Sequence, residues 1–187
     1  NEYKFKDLIE DFHVYIVEYG GANITHWSFL LKEDHPINVD RLCGKSFLIA
    51  DKDENKKERH EELAKILGEE RLNILPVREI ENLLTPKVIE AVAKSYMLKK
   101  EDCSQWKKFK YSAYQKSKLG QFLDKKYLLK HKFADSSGCL TGKVEFCKRA
   151  LEEIREWDDL SEDAKELAIR VAKFIKKING HNLELID

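Results

Sequence analysis

The feature that most constrains this chain is the apolar run Phe47-Leu-Ile-Ala50, which stops abruptly at Asp51-Lys-Asp53. Residues without a polar interruption suit a strand covered on both faces, and therefore a parallel sheet flanked by helices. Ligands gather at the carboxyl ends of such strands, where Asp51 and Asp53 fall. On an extended segment side chains i and i+2 point the same way, so the two carboxylates can share one cation. A DxD by itself is more often a helix cap than a metal site, so the rest of the chain has to decide.

Read in order, residues 1–11 give a short leading helix. His13-Val-Tyr-Ile-Val17 is a strand by its β-branched and aromatic content, and it stops at Glu18-Tyr-Gly-Gly21. The spacing of Ile24, Trp27, Leu30 and Leu31 predicts a helix. After the Phe47–Ala50 strand, Lys56 to Leu67 reads as an amphipathic helix with Gly68 at its end. Leu72 to Val77 is a third strand, left through the polar turn Arg78-Glu-Ile-Glu-Asn82, and Thr85-Pro86 starts a helix running to Met97. Three strands each followed by a helix predict right-handed crossovers and an α/β fold with a parallel sheet.

Beyond residue 100 the pattern changes. Between Trp106 and Lys132 stand nine lysines and one aspartate, Asp124, interleaved with Trp106, Phe109, Tyr111, Tyr114, Phe122 and Tyr127. Asp135-Ser-Ser-Gly138 is a turn, Thr141-Gly-Lys143 opens a helix to Trp157, and Leu160-Ser161 caps a last helix ending at Asn179-Gly180. The expected organisation is an α/β core over 1–100 and a lysine- and aromatic-rich insert with C-terminal helices over 101–187, packing on the core. No internal repeat is visible.

Composition narrows the partners. With 34 basic and 34 acidic side chains no global field advertises nucleic acid, so local blocks must carry that argument. No apolar run approaches the roughly 20 residues that cross a bilayer, and no signal-peptide pattern opens the chain. Cys43, Cys103, Cys139 and Cys147 show no CxxC spacing and read as reduced, mostly buried thiols of a cytoplasmic protein. The first residue is Asn1 rather than Met, which reads as a piece of a longer polypeptide.

Set side by side, the strand ends bring Glu18, Asp51, Asp53, Glu79 and Glu81 to one sheet edge. That many carboxylates repel one another unless a divalent cation neutralises them, and an oxygen-only set favours magnesium or manganese over zinc. This order of motifs resembles the Toprim domain of topoisomerases, primases and the nucleases of the OLD family. The likeness rests on Val17-Glu18-Tyr-Gly-Gly21, on Asp51-Lys52-Asp53, on the acidic segment Arg78-Glu-Ile-Glu-Asn-Leu-Leu84 and on Gly142-Lys143-Val144. It covers roughly residues 10–160. Ala22 and Asn23 stand where many Toprim nucleases carry a further acidic residue.

The resemblance implies a Toprim-like Rossmannoid sheet with a helical C-terminal extension and a metal-dependent DNA endonuclease or nickase, of a kind implied in phage defence. It implies two Mg²⁺ or Mn²⁺ ions on Glu18, Asp51, Asp53 and Glu81, with Glu79 a further metal candidate expected to face solvent, and Lys143 offsetting charge on the phosphate. OLD-type Toprim domains sit behind an ABC-type ATPase domain. No Walker A motif occurs here, so the ATPase is expected upstream in the same polypeptide or on a partner chain, and a homodimer is expected by analogy. The alternative is a catalytically inert Toprim-like regulatory, phosphate-binding or nucleic-acid-binding module.

In the lysine block Lys107, Lys108, Lys110, Lys116 and Lys118 are the candidates for contact with DNA. Its aromatics read as core. The acidic run from Glu152 to Asp163 reads as a solvated face, Trp27 and Trp157 as core or domain-contact residues, and none of the histidines as catalytic.

Overall fold

A computed structural model describes residues 8–10, 13–17, 27–28, 37–38, 43, 45–52, 57–98, 101–104 and 106–180. The fold is mixed α/β, and the chain divides into two compact units, Asn1–Ile74 with Leu167–Asp187, and Leu75–Glu166. The boundary expected at residue 100 falls inside the second unit.

In the first unit β1 (Trp27–Ser28) pairs in parallel with β2 (Ile37–Asn38). Trp27 and Ser28 are therefore strand, not the helix expected over 24–31; Trp is at home in a strand, and the pairing overrides the helical spacing. The remainder of that stretch lies outside the described residues. The strand expected over 13–17 is reduced to one isolated bridge, Glu10 to Val14. The chain folds back on itself there, with the His13 N–H donating to the Ile9 carbonyl at 2.8 Å and the Ile9 N–H to His13 Nδ1 at 3.0 Å. Tyr15, Ile16 and Val17 are exposed.

The Phe47–Ala50 run behaves as expected in part. β3 (Leu48–Ala50) is followed by α1 (Lys57–Leu67) and by β4 (Leu72–Ile74), and β3 and β4 pair in parallel with Leu48 opposite Leu72. This is a β-α-β crossover. Leu48, Leu63, Leu67 and Leu72 form its core. Ile49 is 37% exposed, so β3 is not covered on both faces as its lack of polar residues suggested. From α5 (Glu162–Asn179), Phe174 packs on Phe47 at 5.3 Å between ring centroids. Arg170 on the same helix donates to Asn73 Oδ1 at 2.6 Å and to the Leu72 carbonyl at 2.9 Å.

The second unit is built on α2 (Pro86–Ser95), α3 (Leu119–Tyr127) and α4 (Lys143–Glu153). Thr85 caps α2 with Pro86 in the first turn, as the sequence predicts, and α2 packs on α4. Val88, Ile89, Val92, Leu119, Leu123, Phe133 and Phe146 are buried between them. The aromatic block supplies core as expected, with Tyr114 and Tyr127 buried and Trp106, Phe109, Tyr111 and Phe122 packed against them. The helix expected to reach Trp157 ends at Glu153, and a 3-10 turn, Trp157–Asp159, leaves Trp157 exposed rather than in the core.

Two turns of this unit repeat one geometry. Glu79 and Glu156 each lead a 3-10 turn from an extended conformation, each in a reciprocal capping box, with Asn82 and Asp159 as the partners. Leu84 and Leu160 then pair as an antiparallel bridge. The Thr85 hydroxyl donates to the Asp159 carbonyl at 3.1 Å, and the Ser161 hydroxyl donates to the Leu83 carbonyl at 2.6 Å. Each hydroxyl also accepts from the first turn of its own helix, from Val88 N–H and Ala164 N–H. The two segments, Glu-Ile-Glu-Asn-Leu-Leu-Thr and Glu-Trp-Asp-Asp-Leu-Ser, thus match in role and in order: a capping Glu, an Asn or Asp three residues on, then Leu and a hydroxyl residue.

Candidate functional site

The segment Arg78-Glu-Ile-Glu-Asn82 carries the chemistry of the second unit. Asn82 is completely buried. Its amide donates to the carbonyls of Tyr114 at 2.6 Å and Ser117 at 3.0 Å, and its Oδ1 accepts from the Glu79 N–H at 3.2 Å. The Glu79 side chain accepts in return from the Asn82 N–H. A hydrogen bond of this kind contributes about 1 kcal/mol net, and more when its loss strands a buried partner. The turn is held rigidly enough to keep two carboxylates inside the protein.

Glu79 is 8% exposed and Glu81 5%. The expectation that Glu79 faces solvent is therefore overturned: as the residue capping the 3-10 turn it bends back onto the Asn82 N–H, which buries it. From a distant part of the sequence, α4 begins at Lys143 behind Gly142, whose left-handed conformation (φ 59°) turns the chain into the helix. Lys143 Nζ lies 3.1 Å from Glu81 Oε1 and 3.9 Å from Glu79 Oε2. Two buried anions thus face one half-exposed ammonium. Oε2 of Glu79 and Oε2 of Glu81 are buried without a hydrogen-bond donor, a costly state for a charged oxygen.

Two thiols border this cluster. Cys147, one helical turn beyond Lys143, has its thiol pushed up by burial and by the charge of Glu81, against a smaller downward pull from Lys143. Burial and then Glu79 push the Cys139 thiol up. Both shifts make the thiols weaker nucleophiles than an ordinary cysteine. The cluster's unpaired buried acceptors are carboxylate oxygens, and the two orphaned Oε2 atoms fit a hard divalent cation. They supply part of a coordination shell: among the described residues no group of three or more His, Cys, Asp or Glu is placed to hold a metal ion.

The other expected site residues are placed as follows. Asp51 directly follows β3 in the first unit and is exposed, while Glu18 and Asp53 lie outside the described residues. Lys107, Lys108, Lys110 and Lys116 are exposed. Lys118 is half-buried, and its ammonium donates to the Ser137 carbonyl. The cysteines are less buried than expected, with Cys43 exposed and the others half-buried. His131, without a role in the sequence reading, stacks on Tyr96 at 4.2 Å.

Asp159 departs from the solvated acidic face. It is 7% exposed, bound by Lys87 Nζ at 2.6 Å, and accepts from the N–H groups of Arg155 and Glu156. Lys87 first, and then those N–H groups, hold its carboxyl down at about 2. Its role is structural. The Glu-x-x-Asn and Glu-x-x-Asp spacings of the two capping boxes are the signals from which Asn82 and Asp159 could have been found.

Comparison with known protein families, with curated proteins and with solved structures returns no match. Among the described residues no helix is long and apolar enough to cross a membrane.

Proposed function

We propose that this chain is a divalent-metal-dependent phosphodiester hydrolase acting on DNA, the Toprim-like nuclease part of an OLD-like, cytoplasmic ATPase-nuclease of phage defence. The observation that carries the reading is the meeting of Glu79, Glu81 and Lys143. The resemblance drew these residues from two separate motifs, and Lys143 lies 3.1 Å from Glu81. The parallel β3-α1-β4 crossover with Asp51 at its carboxyl end supports the same reading.

In this reading Glu79 and Glu81 offer buried carboxylate oxygens and Lys143 a positive charge for a phosphate, while Asp51 is a metal candidate of the first unit. Bound Mg²⁺ or Mn²⁺ supplies Lewis acidity and an activated water. The exposed Lys107, Lys108, Lys110 and Lys116 hold the polyanion electrostatically. An ABC-type ATPase, in the same polypeptide or on a partner chain, and a second copy of this chain are the proposed partners.

The test is cleavage of supercoiled plasmid with Mg²⁺, Mn²⁺ or EDTA, comparing the chain with its Glu81→Gln and Asp51→Ala variants. Metal-dependent nicking lost in both is the expected result. A chain that neither nicks DNA nor responds thermally to Mn²⁺ is the inert phosphate-binding module instead, a reading favoured by the neutralisation of Glu81 by Lys143 in the structure.

A further inference from the structure

We infer that Lys143 is an internal counter-ion for Glu79 and Glu81 that a divalent cation has to displace, so that metal loading and release of the lysine toward the phosphate are one exchange. The inference rests on the metal-hydrolase reading above and adds an order of events to it.

Three observations carry it. First, among the described residues Lys143 is the cation within ion-pair distance of Glu81 Oε1 and Glu79 Oε2, at 3.1 and 3.9 Å, so an incoming cation and the ammonium compete for the same two carboxylates. Second, each carboxylate keeps a buried Oε2 without a donor. The ammonium leaves half of the acceptor capacity unmet, whereas a divalent ion carries twice the charge and takes six or more oxygen ligands. Third, the two sides differ in freedom. Glu79 and Glu81 are fixed by the turn that Asn82 locks, while the Lys143 side chain is 44% exposed at the first position of α4.

The consequence is a two-state lysine. On the carboxylates it lowers the cost of two buried negative charges. Displaced, it remains on a flexible four-carbon stem at the start of a helix, where an anion is favoured by the helix dipole. In the state described here its ammonium is engaged by Glu81.

The test is Mn²⁺ binding to the full chain, read as the free Mn²⁺ signal by electron paramagnetic resonance, for the wild type, Lys143→Met, Lys143→Gln, Glu81→Gln and the Lys143→Met, Glu81→Gln double variant. Far-UV circular dichroism establishes that each is folded, and Lys143→Gln, which can still donate to a carboxylate, stands in if the methionine variant does not fold. Removing the competing charge should tighten Mn²⁺ binding on the order of tenfold, the equivalent of about 1.4 kcal/mol, and Glu81→Gln should cancel that gain. The same lysine variants should nick DNA more slowly despite binding metal better.

Two outcomes overturn the inference, and they are distinguishable. Wild type that binds Mn²⁺ and lysine variants that bind it equally or more weakly remove the counter-ion role and leave the hydrolase reading standing. Absence of Mn²⁺ binding in every folded variant removes both.

Discussion

Asn82 shows how one side chain can set the geometry of a site it does not itself belong to. Its amide and carbonyl satisfy three backbone groups in two segments, Glu79 on one side and Tyr114 and Ser117 on the other. Asn82→Leu removes all three bonds and strands buried partners, so the second unit should lose about 3 kcal/mol in urea denaturation. Gly120 is a second such position. A Cβ there would stand 2.5 Å from the Cys139 carbonyl oxygen and 2.8 Å from Ala134 Cα, both backbone atoms. Gly120→Ala should therefore cost about 1–3 kcal/mol despite the better helix propensity of alanine, as overpacking does; an unchanged urea midpoint would refute this. At this scale Glu81 and Lys143 are singled out only by the family resemblance, since residue type alone makes Lys143 an ordinary surface lysine, and the expectation for Glu79 is misleading. No periodicity reports that a polar residue before a 3-10 turn will bend inward onto a backbone N–H.

At the scale of elements, the acidic run before α5 combines two behaviours. Asp158 is exposed, while its neighbour Asp159 is fixed by Lys87 and two backbone N–H groups. A carboxyl held at about 2 against an ordinary 3.8 contributes stability that is complete above 3.8 and is lost as pH falls toward 2. Thermal melts between pH 4.5 and 2 should fall steeply for the wild type and less so for Asp159→Asn, whose Tm at neutral pH is already lower. The aromatic and lysine block separates in the same way. Its rings are core and most of its lysines are solvent-facing, because alternate needs of one amphipathic stretch are met on opposite sides. If the lysines bind DNA, changing Lys107, Lys108 and Lys110 to Ala should flatten the log–log salt dependence of binding by up to about 3 units; an identical slope would remove them from the interface.

For the whole molecule, the legible part was the β3-α1-β4 crossover, because a short apolar run, an amphipathic helix and a second apolar run each carry their own period. The strand expected over 13–17 is a single bridge at Val14, since β propensity says what suits a sheet but not whether a partner lies alongside. The division into units was also hidden. The sequence changes composition near residue 100, yet compactness follows contacts such as Leu84 with Leu160, which no local signal announces. The second unit has its own core from Val88 to Ala150. Residues 75–166 produced alone should give helical circular dichroism and a single cooperative urea transition; a non-cooperative one would show that this core depends on the rest of the chain.

The paired turns at 82–85 and 159–161 fasten the two ends of one long excursion together. Closing a loop of that length has an entropic cost that grows only slowly with the number of residues inside it. Once the fastening exists, the intervening chain can lengthen or shorten at its surface turns with little penalty at the junction. The excursion is in effect a cassette: chain enters and leaves at one buckle, so its contents can diverge while the points of attachment stay put. The hydroxyls of Thr85 and Ser161, each shared between its own helix and the opposite carbonyl, are the prongs of that buckle.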